Sequence, residues 1–249
     1  MDERLAAGPA QEHLPPPSTG IAREAASGLD DPRALQILST EHWSLLSQRS
    51  LVYNEAFARA GMFLTFVSAT LVALGFVGNA MAFNRDFLVL AALLLFVDLV
   101  IGLATIGRML DASVDDLRSI AGMNRIRNAY VRIAPAVMPY LSTGIHDDVA
   151  GVMQTYGAPR IRAGLPAFIH GLTTSGGMIM VIVSLLAGVL GGVLGLILGA
   201  DLVGSFATGA IAFLVLFGLL NRYAYGVVSG FERTFSPSFP TPPEGDPQD

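Results

Sequence analysis

Residues 87–109 read "FLVLAALLLFVDLVIGLATIGRM", a run in which Asp98 and Arg108 are the only charges. As an α-helix it rises roughly 35 Å at about 1.5 Å per residue, enough to cross a ~30 Å hydrocarbon core with some tilt. Lipid offers no partner to a backbone N–H or C=O, so such a run folds as a helix. Three further runs share its character: 61–83, 178–200 and 202–223. The chain is 52% hydrophobic and 14% charged, against about 25% charged in an ordinary soluble domain. The sequence therefore predicts an all-α membrane protein. It has two transmembrane helical hairpins, four spans in all, with a helical cytoplasmic segment between spans 2 and 3.

Orientation follows from arginine, since there is no lysine among the fifteen basic residues. Arg4, Arg23, Arg33, Arg49 and Arg59 precede span 1. Arg108, Arg118, Arg125, Arg127, Arg132, Arg160 and Arg162 lie at or between the inner ends of spans 2 and 3, and Arg222 and Arg233 close span 4. The turn at 84–86 holds only Arg85, and the turn at Asp201 holds none. The positive-inside rule places both termini and the middle segment in the cytoplasm of a cell whose inner (plasma) membrane holds the chain.

Outside the spans, residues 1–30 are Pro-, Gly- and Ala-rich without periodicity and read as a disordered tail. They lack the basic and then apolar regions of a cleaved signal. Asp31 and Pro32 form a helix start, and the stripe through Leu38, Leu45 and Val52 predicts an amphipathic helix over 31–60. Trp43 and Tyr53 suit a membrane interface, and the alternative is a helix that packs on the cytoplasmic segment. The 110–170 segment continues span 2 as a helix, bends near Gly122 and stops at Pro135. A short helix in "HDDVAGVMQTYG" closes at Gly157, and "RIRAGLPAFIHGL" approaches span 3 along the interface. Residues 226–249 are Pro-rich and read as a disordered tail.

Asp98 is the sharpest chemical feature. A carboxylate at the centre of a span costs about 2.5–3.5 kcal/mol on insertion scales and faces the bundle interior or a watery path. Thr105 shares its helical face. Span 1 offers a polar stripe of Thr65, Ser68, Gly75 and Asn79, and in an antiparallel pair Ser68 is the expected neighbour. Two roles follow: a pore or proton path, or a protonated hydrogen-bonding group that glues helices. His146, Asp147 and Asp148, with Asp115 and Asp116, are a weak divalent-metal candidate without recognised ligand spacing. Acids decorating a helix N-terminus are the plainer reading.

Span 3 contains "GVLGGVLGLILG". At about 100° per residue, Ser184, Gly188, Gly191, Gly192, Gly195 and Gly199 fall within a sector of roughly 100°. Gly191, Gly195 and Gly199 form overlapping GxxxG units, a groove for close helix approach in lipid. Span 4 answers with Ser205, Gly209 and Ala212. The groove serves packing within one chain or a homo-oligomer through span 3.

Net charge is −5 and cysteine is absent. These speak against nucleic-acid binding and exclude thiol chemistry. No phosphate loop or hydrolase motif is evident, so the expectation is a non-enzyme with no cofactor. The stretches "STEHWSLLSQRSLVYNEAFARAGMFL" and "AGMNRIRNAYVRIAPAVMPYL…GIHDD" resemble a family of actinobacterial four-span integral membrane proteins, a likeness over residues 36–225 that implies no activity. In layout, residues 35–133 are similar to SLATT domains, proposed membrane effectors of bacterial conflict systems, though this chain adds a second hairpin. The leading expectation is a non-enzymatic membrane protein acting through helix–helix assembly, as an oligomeric pore or effector. The alternatives are a small ion- or proton-coupled transporter using Asp98, and a scaffold or sensor that binds a cytoplasmic partner.

Overall fold

The computed structural model describes residues 28–156 and 174–242. A 3-10 turn at Gly28–Asp30 precedes α1 (Ala34–Ala80) and α2 (Arg85–Ile133). A second 3-10 turn, Pro135–Tyr140, leads to α3 (Val149–Thr155), and α4 (Ser175–Ile197) and α5 (Leu202–Thr234) follow. No strand occurs among the described residues. Four helices, α1, α2, α4 and α5, are long and apolar enough to cross a membrane, as in a multi-pass membrane protein. The expectations for 1–27, "RIRAGLPAFIHGL", Gly157 and 243–249 lie outside the described residues.

The described residues form two compact units: 47–117 with 174–235, and 28–46 with 118–156 and 236–242. Helices α1 and α2 each contribute residues to both. The predicted boundary at 60/61 is not a break, because α1 is one 47-residue helix. Nor does Gly122 interrupt α2, which stops at Ile133, ahead of Ala134 and Pro135.

In the first unit, α1 presents Ala56, Ala60, Phe63 and Val67, spaced 4-3-4, to a core that includes Leu95, Ile106, Ile179 and Val183. The Phe63 ring seats at Gly102, where an added Cβ would lie 2.9 Å from a ring carbon and 2.7 Å from Val183. The expected turn at 84–86 is displaced toward the N-terminus. Helix α1 ends at Ala80, and Ala82 and Phe83 take the left-handed conformation (φ 49° and 51°). For residues with a Cβ this costs about 1–2 kcal/mol each. The Phe83 N–H donates to Gly78 (3.0 Å) and its ring meets Phe87 edge-on. Asn84 then caps α2, accepting from the Phe87 N–H at 2.9 Å.

In the second unit, Ile120, Ala121 and Met123 of α2 are buried, and Leu45 of α1 fits over Gly122. Asn124 ties the loop 144–155 to α2. Its amide donates to the carbonyls of His146 (2.7 Å) and Gly151 (3.2 Å), and its oxygen accepts from Thr155 and Arg127. The expected tail from 226 is corrected. Helix α5 runs on to Thr234, and residues 236–241 are hydrogen-bonded to Arg125, His146, Asp147 and Asp148.

Candidate functional site in the four-helix unit

Asp98 is 3% exposed. Its Oδ2 atom has no hydrogen-bond partner among the described residues. The expected partner is elsewhere. Ser68 is exposed and donates to the Leu64 carbonyl (2.8 Å), and Thr65 likewise donates to Gly61 (2.9 Å). Gly75 and Asn79 are exposed as well. The whole polar stripe of α1 therefore points away from the core that encloses Asp98. The physical reason is twofold. Hydroxyls on a helix satisfy themselves on the carbonyl one turn back, whereas the Phe63 ring has no such alternative and claims the notch at Gly102. Thr105 and Ser184 are buried, and each hydroxyl is likewise committed to its own helix, to Ile101 (2.8 Å) and Met180 (2.7 Å).

A cavity of about 670 Å³ opens in the same unit, lined by Ala56, Phe57, Ile106, Met109, Met180 and Asn221 among others. It has the size and mostly apolar character of a ligand or solvent pocket. Ile106 lies eight residues beyond Asp98 on α2, about 12 Å along the axis, and Met180 lies one turn from Ser184 on α4.

Two ion-pair groups flank this region, and neither was legible beforehand. Asp116, 1% exposed, accepts from Arg49 and from the Tyr53 hydroxyl (3.0 Å). Glu55 accepts from Arg108 (2.8 Å) and Arg59 (3.0 Å). Those two guanidiniums hold its carboxyl below the usual carboxylate range. The periodicity of 31–60 marks one face, but a pairing across 67 residues leaves no local signature.

The glycines of α4 meet α5. A Cβ built on Gly188 falls 3.1 Å from the Gly209 carbonyl oxygen. On Gly191 it falls 2.8 Å from the Ala212 Cβ, on Gly192 3.3 Å from the Ser205 carbonyl oxygen, and on Gly195 2.7 Å from the Thr208 hydroxyl. Gly209 is tightest in return, at 2.7 Å from the Gly188 carbonyl oxygen. Ser205 is buried at this contact. Gly199 is a correction: it lies past the end of α4 with φ +91° and nothing within 4 Å. There it completes a helix cap in which Ala200 N–H donates to Gly195 and Gly199 N–H to Leu196, both at 3.0 Å. Span 3 thus ends at Ile197, and Asp201 caps α5 by accepting from Gly204.

His146, Asp147 and Asp148 belong to the other unit, and their carboxylates are already committed. Asp147 accepts from Arg125 and from two backbone N–H groups, and Asp148 from Gly151 and Thr241. The metal candidate is corrected accordingly, because donors occupy the positions a cation would need. Among the described residues no group of three His, Asp or Glu side chains is arranged to hold a metal.

No protein-family model matches the chain, and comparisons with curated proteins and with solved structures find no match.

Proposed function

We propose that this chain is a non-enzymatic, multi-pass membrane protein whose four-helix unit exchanges protons or small cations at Asp98. In this reading the spans form two hairpins with both termini and the 110–170 segment in the cytoplasm. One observation carries the proposal: a buried carboxyl oxygen in an apolar core without a hydrogen-bond partner. A structural glue needs a partner. None is present among the described residues, and at 3% exposure the side chain is closed to a neighbouring copy. An unmade buried bond costs about 1–3 kcal/mol, and such groups in membranes mark ion and proton pathways. The cavity supplies an approach that ends about 12 Å short of the carboxyl along α2. In this reading the glycine face of α4 serves packing on α5 of the same chain.

The test is flux. Purified chain is reconstituted into liposomes holding a pH-sensitive dye, and a potassium gradient with valinomycin drives proton entry. Parallel arms follow sodium and potassium. The expected result is a flux that Asp98→Asn lowers at least about tenfold, with unchanged yield and melting. Wild-type vesicles no leakier than empty ones, or full flux in Asp98→Asn, would overturn the reading.

A further inference from the structure

The segment 236–241, "SPSFPT", lies along a surface made by α2 and the loop before α3, and its contacts are of an unusual kind. Asp147 takes the N–H groups of Ser238 (2.8 Å) and Phe239 (2.7 Å) on its two oxygens. The Phe239 carbonyl accepts from the Asp147 N–H at 3.2 Å, with the His146 Nδ1 atom at 3.3 Å. Asp148 takes the N–H and hydroxyl of Thr241 (3.0 and 2.8 Å), and Arg125 donates to the Ser236 carbonyl. The Arg132 guanidinium stacks 4.8 Å from the Phe239 ring centre. Backbone groups thus make most of the bonds. The prolines at 237 and 240 fall where no N–H is used, and they fix φ on either side of the bend at Ser238 and Phe239.

Two further observations separate this arrangement from an ordinary packed tail. No residue of 236–241 is fully buried, and Ser236, Pro240 and Thr241 are exposed. The surface also keeps its shape by bonds that do not involve the segment. Asn124 holds the His146 and Gly151 carbonyls, Asp148 caps α3, Thr155 accepts from the Gly144 N–H, and Arg125 holds Asp147. A site that is built without its occupant can exchange it.

We propose that Arg125, Arg132 and His146–Asp148 form a recognition site for a bent, proline-spaced peptide of the form Ser-Phe-Pro-Thr, with residues 236–241 as an internal ligand that another protein bearing such a segment displaces. Tethering in cis gives the internal copy a high effective concentration, on the order of millimolar for a short linker. A partner therefore competes poorly until the latch is weakened. The inference stands apart from the role of Asp98.

The experiment uses the full chain in detergent and a fluorescein-labelled peptide of sequence FSPSFPTP, followed by polarisation. Wild type is expected to bind weakly. A chain carrying Phe239→Ala and Thr241→Ala is expected to bind at least about tenfold more tightly. A peptide with its central Phe replaced by Ala is expected to lose about tenfold on that same chain. Adding Asp147→Asn to the chain removes binding. Absence of binding by the latch-weakened chain at millimolar peptide would overturn the proposal. Hydrogen exchange on the unaltered chain is a second arm in which no variant has to fold. The 238, 239 and 241 amides are expected to exchange at least about tenfold faster than the α2 amides around Asn124, and faster still with excess peptide. Exchange only at the rate of those α2 amides would mark the segment as a fixed part of the fold and refute the site.

Discussion

Replacing Gly209 with alanine tests whether the glycine face of α4 is a contact within one chain. The added Cβ would lie 2.7 Å from the Gly188 carbonyl oxygen and 3.4 Å from the Gly192 nitrogen. Both are backbone atoms, so no side-chain rotation relieves the clash and the helices must part. Gly218 is on the same helix with nothing within 4 Å of its added Cβ. A Gly→Ala change improves intrinsic helix propensity by about 0.5–1 kcal/mol at either site. That gain cancels in the comparison, leaving the overpacking term of about 1–3 kcal/mol. For a chain of this size the difference corresponds to roughly 2–12 °C in melting temperature. The assay is thermal unfolding of the two variants in one mild detergent, with particle mass measured by light scattering. Gly209→Ala is expected to melt lower than Gly218→Ala at unchanged mass. Equal melting would refute the packing argument. Equal melting with a smaller particle would show instead that the face serves a second copy.

Other perturbations probe other layers. Asp116→Ala removes an acceptor from the Arg49 guanidinium and the Tyr53 hydroxyl and vacates a fully enclosed position. Breaking such a pair costs about 3–5 kcal/mol at full burial. Because Arg49 keeps about a third of its exposure, about 2–3 kcal/mol is expected, read as a fall in melting temperature. His42 is held below its usual value by burial and then by the charge of Arg127, and its Nδ1 atom is enclosed without a hydrogen-bond partner among the described residues. With the folded value depressed, the unfolded chain binds the extra proton. The stabilisation is therefore present above about pH 6.5 and lost as pH falls below it. Melting of the wild type is expected to drop between pH 7.5 and 5.5 more than that of His42→Phe, and identical slopes would contradict this. Asp148 behaves in the acid range. Burial pushes its carboxyl up, but hydrogen bonds from Gly151 and Thr241, with His146 nearby, outweigh that and hold it below its usual value. The excess exchange of the Thr241 amide over the α2 amides is expected to stay constant through neutral pH and to grow below about pH 4, as hydrogen exchange across a pH series would report.

Much of the secondary structure was open to reading because it rests on local causes. An apolar run of about 23 residues leaves the backbone no alternative to a helix in lipid. Asp148 announces a helix start because a short carboxylate side chain reaches the N–H three residues on. The segregation of Gly188, Gly191, Gly192 and Gly195 follows from helical geometry alone. Gly199 escaped the same count, since an angular wheel assumes a helix that had already ended at Ile197.

What surrounds Asp98 was decided elsewhere. A stripe of Thr65, Ser68, Gly75 and Asn79 looked like its natural partner, yet hydroxyls bond to their own helix at no tertiary cost, while Phe63 needs the notch at Gly102. The choice of inward face depends on that fit between two helices, which no single segment encodes. The latch of 236–241 is a similar case. Its prolines and polar residues have the composition of a solvated tail, and only the distant carboxylates of Asp147 and Asp148 give its amides partners. By itself the sequence determined that four helices can cross a membrane and that α2 stops ahead of Pro135, because those outcomes depend on neighbours within a few residues. Tertiary structure decided which faces meet, because shape complementarity and long-range hydrogen bonds exist only once the helices are side by side.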